Sequence, residues 1–314
     1  MRILFMGTPD FAVPCLQRLL EDGHEICGVF TKPDKPRGRG YAVTPPPVAV
    51  AAAKANIPVF QPATLRDESV AAQVAQLRPD AVVVVAYGKI LPEAILNIPP
   101  LGCVNVHASL LPRYRGAAPM QWAILNGETV TGVTTMFMAK GMDTGDMIDK
   151  VETPIGPDED YGTLYARLSV MGAELLSRTM REIAAGAAHR EKQDDSQATF
   201  APMIDKGACR LDFSAPAARV HDRVRALSPA PGARTTRRGQ PLKVFASRLS
   251  PEPSSPGTPG ELLPAQEGVE GIPVRCGDGR VLWLTQVQGA GGRRMEAAEY
   301  LRGHPVVPGE TLGR

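Results

Sequence analysis

The run Ala81-Val82-Val83-Val84-Val85-Ala86 places no polar residue on either side of an extended chain. A strand with one wet face alternates apolar with polar residues. An unbroken apolar run of this length predicts a strand buried on both faces, the place of a central strand in a parallel sheet. Such a sheet needs helices over both faces, and the preceding sequence supplies them. Residues 3–6 form a short apolar run ended by Gly7. Thr8 then stands where a helix N-cap belongs, Pro9 suits the first helical position, and Phe11, Val13, Leu16, Leu19 and Leu20 recur at helical spacing. Residues 26–30, 103–107 and 133–138 predict further strands, and residues 161–185 a long helix. The expected class is α/β, a Rossmann-like, mostly parallel sheet.

A chain of 314 residues is long enough for two domains, and its texture changes in the second half. Residues 217–227 look helical. Short β-type runs follow at 241–248, 274–276 and 281–287, separated by Gly and Pro clusters, which predicts a small OB-like β-barrel. The stretch after residue 186 is small and polar. The expected division is therefore residues 1–188 as the catalytic domain, 189–206 as linker and 207–314 as the barrel. Charge divides with texture. Residues 1–188 carry 17 Lys and Arg against 19 Asp and Glu, whereas residues 206–314 carry 16 against 10. A basic second half beside an acidic first half suits a module that holds a polyanion, although a solvated surface has the same composition.

The valine run is far shorter than the roughly 20 residues a membrane helix needs. The first residues lack the long apolar region of a signal peptide. A cytoplasmic protein without membrane contact is expected, and a monomer. The five cysteines (Cys15, Cys27, Cys103, Cys209, Cys276) are odd in number with no close pair, which indicates neither a disulfide framework nor a metal site.

Two segments point to chemistry. In Asn105-Val106-His107-Ala108-Ser109, Asn105 and His107 are two apart on a strand and project to one face. They stand at a strand's carboxyl end, where open α/β sheets bind ligands. An amide and an imidazole together can donate to one developing oxyanion; a core histidine satisfied by carbonyls is the plainer alternative. In Lys140-Gly141-Met142-Asp143-Thr144-Gly145-Asp146, a carboxylate sits in a Gly-flanked turn, a pattern shared with ordinary hairpins. The 17-residue stretch 31–47 holds five prolines and two glycines, with Lys32, Lys35, Arg37 and Arg39 against one acid, Asp34. A loop this long inside a compact domain tends to serve a function. The first βα turn has no Gly-x-Gly-x-x-Gly, which argues against a nicotinamide dehydrogenase.

Asn105-Val-His107-Ala-Ser109-Leu-Leu-Pro112-x-Tyr114-Arg115-Gly116, followed by Asp143-Thr-Gly145, resembles the signature of the 10-formyltetrahydrofolate-dependent formyltransferases. Gly7-Thr8-Pro9-Asp10-Phe11-Ala12 and Lys32-Pro-Asp34-Lys-Pro36-Arg-Gly38-Arg39-Gly40 resemble the branch acting on methionyl-tRNA. The resemblance implies transfer of a formyl group from 10-formyltetrahydrofolate to the amine of methionyl-initiator tRNA for translation initiation, without a metal. It implies a catalytic trio of Asn105, His107 and Asp143. It places the folate site on Ser109, Leu110, Leu111 and Pro112 with Tyr87 and Ile90, and tRNA contacts on Arg39, Arg37, Lys35, Lys32 and Lys206. Met203 stands where the family commonly has lysine, and Leu211-Asp212-Phe213 where it commonly has Ile-Asp-Trp. A formyltransferase acting on a small amine, or a folate hydrolase with the same trio, is the rival reading. A small acceptor requires neither the basic loop nor the basic second half.

Overall fold

The structure, a computed structural model, describes residues 1–37, 42–251, 255–264 and 270–313. The chain divides into two compact units. Residues 1–119, 131–153 and 165–202 form the first, and residues 120–130, 154–164 and 203–314 the second.

In chain order the elements up to residue 201 are β1 (Arg2–Gly7), α1 (Val13–Glu21), β2 (Glu25–Phe30), β3 (Lys35–Arg37), β4 (Ala42–Thr44), α2 (Pro47–Lys54), β5 (Val59–Phe60), α3 (Glu68–Gln76), β6 (Ala81–Val85), α4 (Glu93–Leu96), β7 (Cys103–His107), β8 (Arg115–Gly116), α5 (Pro119–Leu125), β9 (Val130–Phe137), β10 (Met147–Pro154), α6 (Tyr161–Ala184) and β11 (Phe200–Ala201). Seven strands form the main sheet in the order β10-β9-β7-β6-β1-β2-β5. β6 is central and all five of its residues are buried, as its unbroken apolar run requires. It runs parallel to β1 and to β7, and β2 continues the parallel set to β5. β7 and β9 pair antiparallel, with His107 opposite Thr134 and Asn105 opposite Met136. From β1 the chain winds outward through β2 to β5, then returns to β6 and winds the other way. The switch point lies between β1 and β6, where doubly wound sheets bind ligands at the strands' carboxyl ends.

Both faces are covered. Leu4, Met6, Val82 and Val84 pack with Val70 and Val74 of α3 and Ile95 of α4. α3 starts because the Asp67 side chain accepts a hydrogen bond from Ser69 N at 2.9 Å, satisfying a free donor of the first turn. α6 lies over the opposite face, where Thr135 and Thr179 hydroxyls meet at 2.8 Å.

Two stretches differ from their sequence reading. The proline-rich segment 31–47 is not a plain loop. Its β3 and β4 form a separate antiparallel ribbon, Lys35 opposite Thr44 and Pro36 opposite Val43, and α2 begins at Pro47. A two-stranded ribbon outside the main sheet accepts Pro36, whose missing N–H would break a central ladder. Arg39, at the heart of this segment, lies outside the described residues. The polar stretch after residue 188 is not a free connector either. Glu191 bridges to Met147, and β11 pairs parallel with β8 through residues 115–116 and 200–201.

The second unit holds α7 (Ala217–Ala226), β12 (Ala233–Arg237), β13 (Gln240–Leu249), β14 (Ile272–Arg275), β15 (Val281–Gly289), β16 (Met295–Glu296) and α8 (Ala297–Gly303). The sheet order is β12-β13-β15-β14, with β16 beside β15, and these neighbours pair antiparallel. Three single bridges continue from β14 round to β12: Val274 to Leu262, Glu261 to Thr311, and Leu312 to Arg237. The strands therefore close on themselves, as the sequence predicts for a small barrel. Register shifts near Ala246 bend β13, as bulges do where a sheet coils. Val220 and Val224 of α7 fill the core with Val244, Ile272, Val274, Leu282, Leu284 and Leu312. Phe213 is buried in that core.

Candidate active site

β7 presents alternate residues to opposite faces, so Cys103, Asn105 and His107 share one side, with Val104 and Val106 on the other. Asn105 and His107 are both buried, in a strand otherwise built of apolar residues. The turn after β9 brings Asp143 to them. Asn105 Nδ2 donates to Asp143 Oδ1 at 3.4 Å, and His107 Nδ1 lies 3.7 Å from Asp143 Oδ2. His107 Nε2 meets the carbonyl of Tyr114 at 2.9 Å. A carbonyl only accepts, so Nε2 carries a hydrogen and Nδ1 is the nitrogen facing the carboxylate. Gly116 N donates to Asp143 Oδ2 at 2.9 Å. The three residues singled out from the sequence thus stand together at the end of β7, with both Asp143 oxygens accepting hydrogen bonds.

The loop beyond β7 is fixed by buried polar contacts. Thr134 Oγ1 donates to Ser109 O at 2.7 Å and accepts from Leu111 N at 3.2 Å. Ser109 Oγ donates to Arg113 O at 2.7 Å. Tyr114 takes a left-handed φ of 61°, and its N–H donates to Thr199 Oγ1 at 2.9 Å. Leu111 is buried against Met136 and Met147, while Leu110 is half-buried. Ser109, Leu110, Leu111 and Pro112 therefore form one braced loop next to His107.

Tyr87 and Ile90 follow β6, the strand beside β7. The Tyr87 ring packs within the core under the strand end, and burial pushes its phenol up to about 12. Its carbonyl accepts from Thr8 Oγ1 at 3.1 Å, joining the ends of β1 and β6 across the switch point. Ile90, by contrast, is 75% exposed.

The cations fall into separate groups. Lys32 is half-buried against Gly88, where a Cβ would meet its Nζ. Burial, then the charge of Lys35, lowers the Lys32 ammonium. Lys89 Nζ donates to Pro62 O and Ala63 O at 2.5 and 2.8 Å. Lys35 is exposed on β3, and Arg37 ends that strand. Lys206 is exposed and belongs to the second unit. In that unit Arg210 bridges to Arg234, and Arg234 stands opposite Lys243. Three cations thus lie in register across neighbouring segments. Not every basic residue of 206–243 is free for a partner. Arg225 is buried on Asp222 at 2.9 Å, and Arg237 on Glu310 at 2.7 Å.

Sequence reasoning missed Gln193 and Arg115 as parts of the site. Gln193 Nε2 donates to the carbonyls of Asp143 and Gly145, both at 2.8 Å, and its Oε1 accepts from Arg115 Nη2 at 2.8 Å. Arg115 is buried and also meets Asp195 at 2.7 Å. An arginine inside the Asn105–Gly116 signature was the available signal. Gln193 carried none, because its surroundings read as a polar connector. Among the described residues, no group of three or more His, Cys, Asp or Glu is placed to hold a metal ion.

The class of protein, a formyl-transferring enzyme, follows from the family matches over both halves of the chain. Residues 1–180 match the family described as formyl transferase, and residues 203–305 the family described as formyl transferase, C-terminal domain. The methionyl-tRNA formyltransferase of Trichlorobacter lovleyi is 49% identical over 311 residues, covering 99% of this chain and 96% of its own length. That of Acetivibrio thermocellus is 47% identical, with all of both chains covered. The N-formyltransferase from Helicobacter canadensis, solved with folinic acid and dTDP-3-aminofucose, aligns with a TM-score of 0.67 at 20% identity over 90% of this chain and 98% of that one. At that identity it shows the fold alone. The chain belongs to the methionyl-tRNA formyltransferase family.

Proposed function

We propose that this chain transfers the formyl group of 10-formyltetrahydrofolate to the free α-amine of methionyl-initiator tRNA, with Asn105, His107 and Asp143 at the reacting centre. The observation that carries the reading is the meeting of these three side chains at the carboxyl end of β7, in a chain whose full-length relatives are methionyl-tRNA formyltransferases.

The amine attacks the formyl carbon, a C–N bond forms, and the carbonyl electrons move onto oxygen. Asn105 Nδ2–H, with the His107 imidazole beside it, serves as donor to that oxygen, and fixed donors stabilise charge where it develops. Asp143, directly or through a water, takes the proton the attacking amine must lose. The tetrahedral species collapses, the bond to N10 of the folate breaks, and that nitrogen leaves with the proton that Asp143 accepted from the amine. Both Asp143 oxygens already accept hydrogen bonds, from Asn105 and Gly116, so the carboxylate is held in place for this step.

The folate belongs on the Ser109–Pro112 loop and the strand end bearing Tyr87 and Ile90, two adjacent sheet ends flanking the trio. Exposed apolar surface at Ile90 beside braced backbone suits a flat, hydrogen-bonding ring. The tRNA belongs on the segment 31–47, through Lys32, Lys35, Arg37 and Arg39, and on the second unit through Lys206. The row Arg210, Arg234 and Lys243 supports a polyanion there, since like charges directly opposite on neighbouring strands are unfavourable unless something neutralises them. We place the enzyme in the cytoplasm and take it as a monomer. Among the described residues no helix is long and apolar enough to cross a membrane.

Replacing Asn105 or His107 by Ala lowers kcat by roughly 10²–10³-fold, the loss typical of one oxyanion donor. Asp143→Asn loses as much or more, while equilibrium folate binding survives in all three. A His107→Ala enzyme turning over at the wild-type rate would remove the trio from the reaction.

A further inference from the structure

Gln193 touches none of the three proposed catalytic side chains, yet its amide ties the turn that carries one of them to Arg115 of β8. Nε2 donates to the main-chain carbonyls of Asp143 and Gly145, each at 2.8 Å. Oε1 accepts from Nε and Nη2 of Arg115 at 3.0 and 2.8 Å. The carbonyls only accept and the guanidinium only donates, so the partners fix which way the amide points. Arg115 directly precedes Gly116, whose N–H holds the Asp143 carboxylate. β8 therefore grips Asp143 at both ends: at its carboxylate through Gly116, and at its main chain through Arg115 and Gln193.

That double grip answers a conformational problem. Asp143 has φ 54°, a left-handed conformation that side chains other than glycine enter at a cost. Such residues persist where the surrounding structure over-determines them. A relaxed turn would swing the carboxylate away from His107 and Asn105, and a displacement of about 1 Å at a reacting centre can cost on the order of 10² in rate.

We propose that Gln193 is a positioning residue for formyl transfer, acting through the main chain of Asp143; the inference rests on the catalytic reading of Asp143. Gln193→Glu keeps the shape and the partnership with Arg115 but sets a carboxylate oxygen against two carbonyls. Gln193→Ala removes the tether altogether. The experiment measures kcat, KM for each substrate and the melting temperature of both variants, alone and combined with Asp143→Asn. We expect kcat to fall roughly 10- to 10²-fold in each single variant, with KM for the formyl donor changed less than about threefold. In the Asp143→Asn background, replacing Gln193 costs nothing further, since residues acting as one unit are non-additive. Gln193→Glu with wild-type kcat overturns the proposal. So does a Gln193→Ala loss that multiplies in full on that of Asp143→Asn, which would mark a merely structural role. Asp143→Asn alone at the wild-type rate would instead overturn the catalytic reading, a separate and recognisable result.

Discussion

A Cβ on Gly145 would run into the carbonyl oxygen of Phe137, and one on Gly116 would lie 2.6 Å from the carbonyl of Ala201. Both glycines flank the proposed reacting centre, one beside the Asp143 turn and the other donating to the Asp143 carboxylate. Gly145→Ala forces the turn off β9. We expect it to cost about 1–3 kcal/mol in urea unfolding, the range for overpacking, and to lower kcat by at least about tenfold as Asp143 shifts. Wild-type kcat in a folded Gly145→Ala enzyme would show that the turn tolerates movement. At this scale the sequence was legible where a residue type contradicts its setting: Asn105 and His107 are polar in an apolar strand, and Asp143 sits between glycines. Gln193 contradicts nothing locally. Its role exists only through carbonyls 48 and 50 positions away in the chain, and no spacing records that.

The barrel is closed by elements too short to show a period. Leu262 and Leu312 contribute one bridge each, and of the three buried residues of β12 only Ala233 is apolar, beside Thr235 and Arg237. What pins the closing segment is a charge pair. Glu310 Oε1 accepts from Arg237 Nε at 2.7 Å, and Oε2 from Arg238 Nη2 at 3.0 Å. Burial works to raise the Glu310 carboxyl, but the bonds from Arg237, Arg238 and Val307 N–H outweigh it and hold it down to about 2. The folded value lies below the ordinary one, so the stability it lends is complete above about pH 4.5 and is lost as pH falls toward 2. Glu310→Gln should cost about 3 kcal/mol at pH 7, the loss expected from breaking a buried pair. In thermal melts, the gap between wild type and variant narrows as pH is lowered from 4.5 to 3. A gap that stays constant over that interval would contradict the lock.

At the scale of the molecule, an unbroken apolar run and strands alternating with helical stretches point to a parallel sheet but not to its order. The switch point between β1 and β6 and the antiparallel pairing of β9 on β7 depend on which strands meet, and local pattern is silent on that. The barrel's existence was legible from short β-type runs between Gly and Pro clusters. The building of residues 189–202 onto the first unit was not, since those residues read as a linker. In the proposed function the acceptor decides what each basic segment is for: a free amine needs only the proposed trio, whereas a tRNA would occupy the basic ribbon and the Arg210–Arg234–Lys243 row. The decisive measurement is the initial rate of formyl transfer from 10-formyltetrahydrofolate to methionyl-initiator tRNA, methionyl-elongator tRNA and free methionine, at equal concentration of α-amine. The proposed function predicts rapid formylation of the initiator tRNA, a lower rate on the elongator and a negligible one on methionine. Equal rates on methionine and methionyl-initiator tRNA would contradict it.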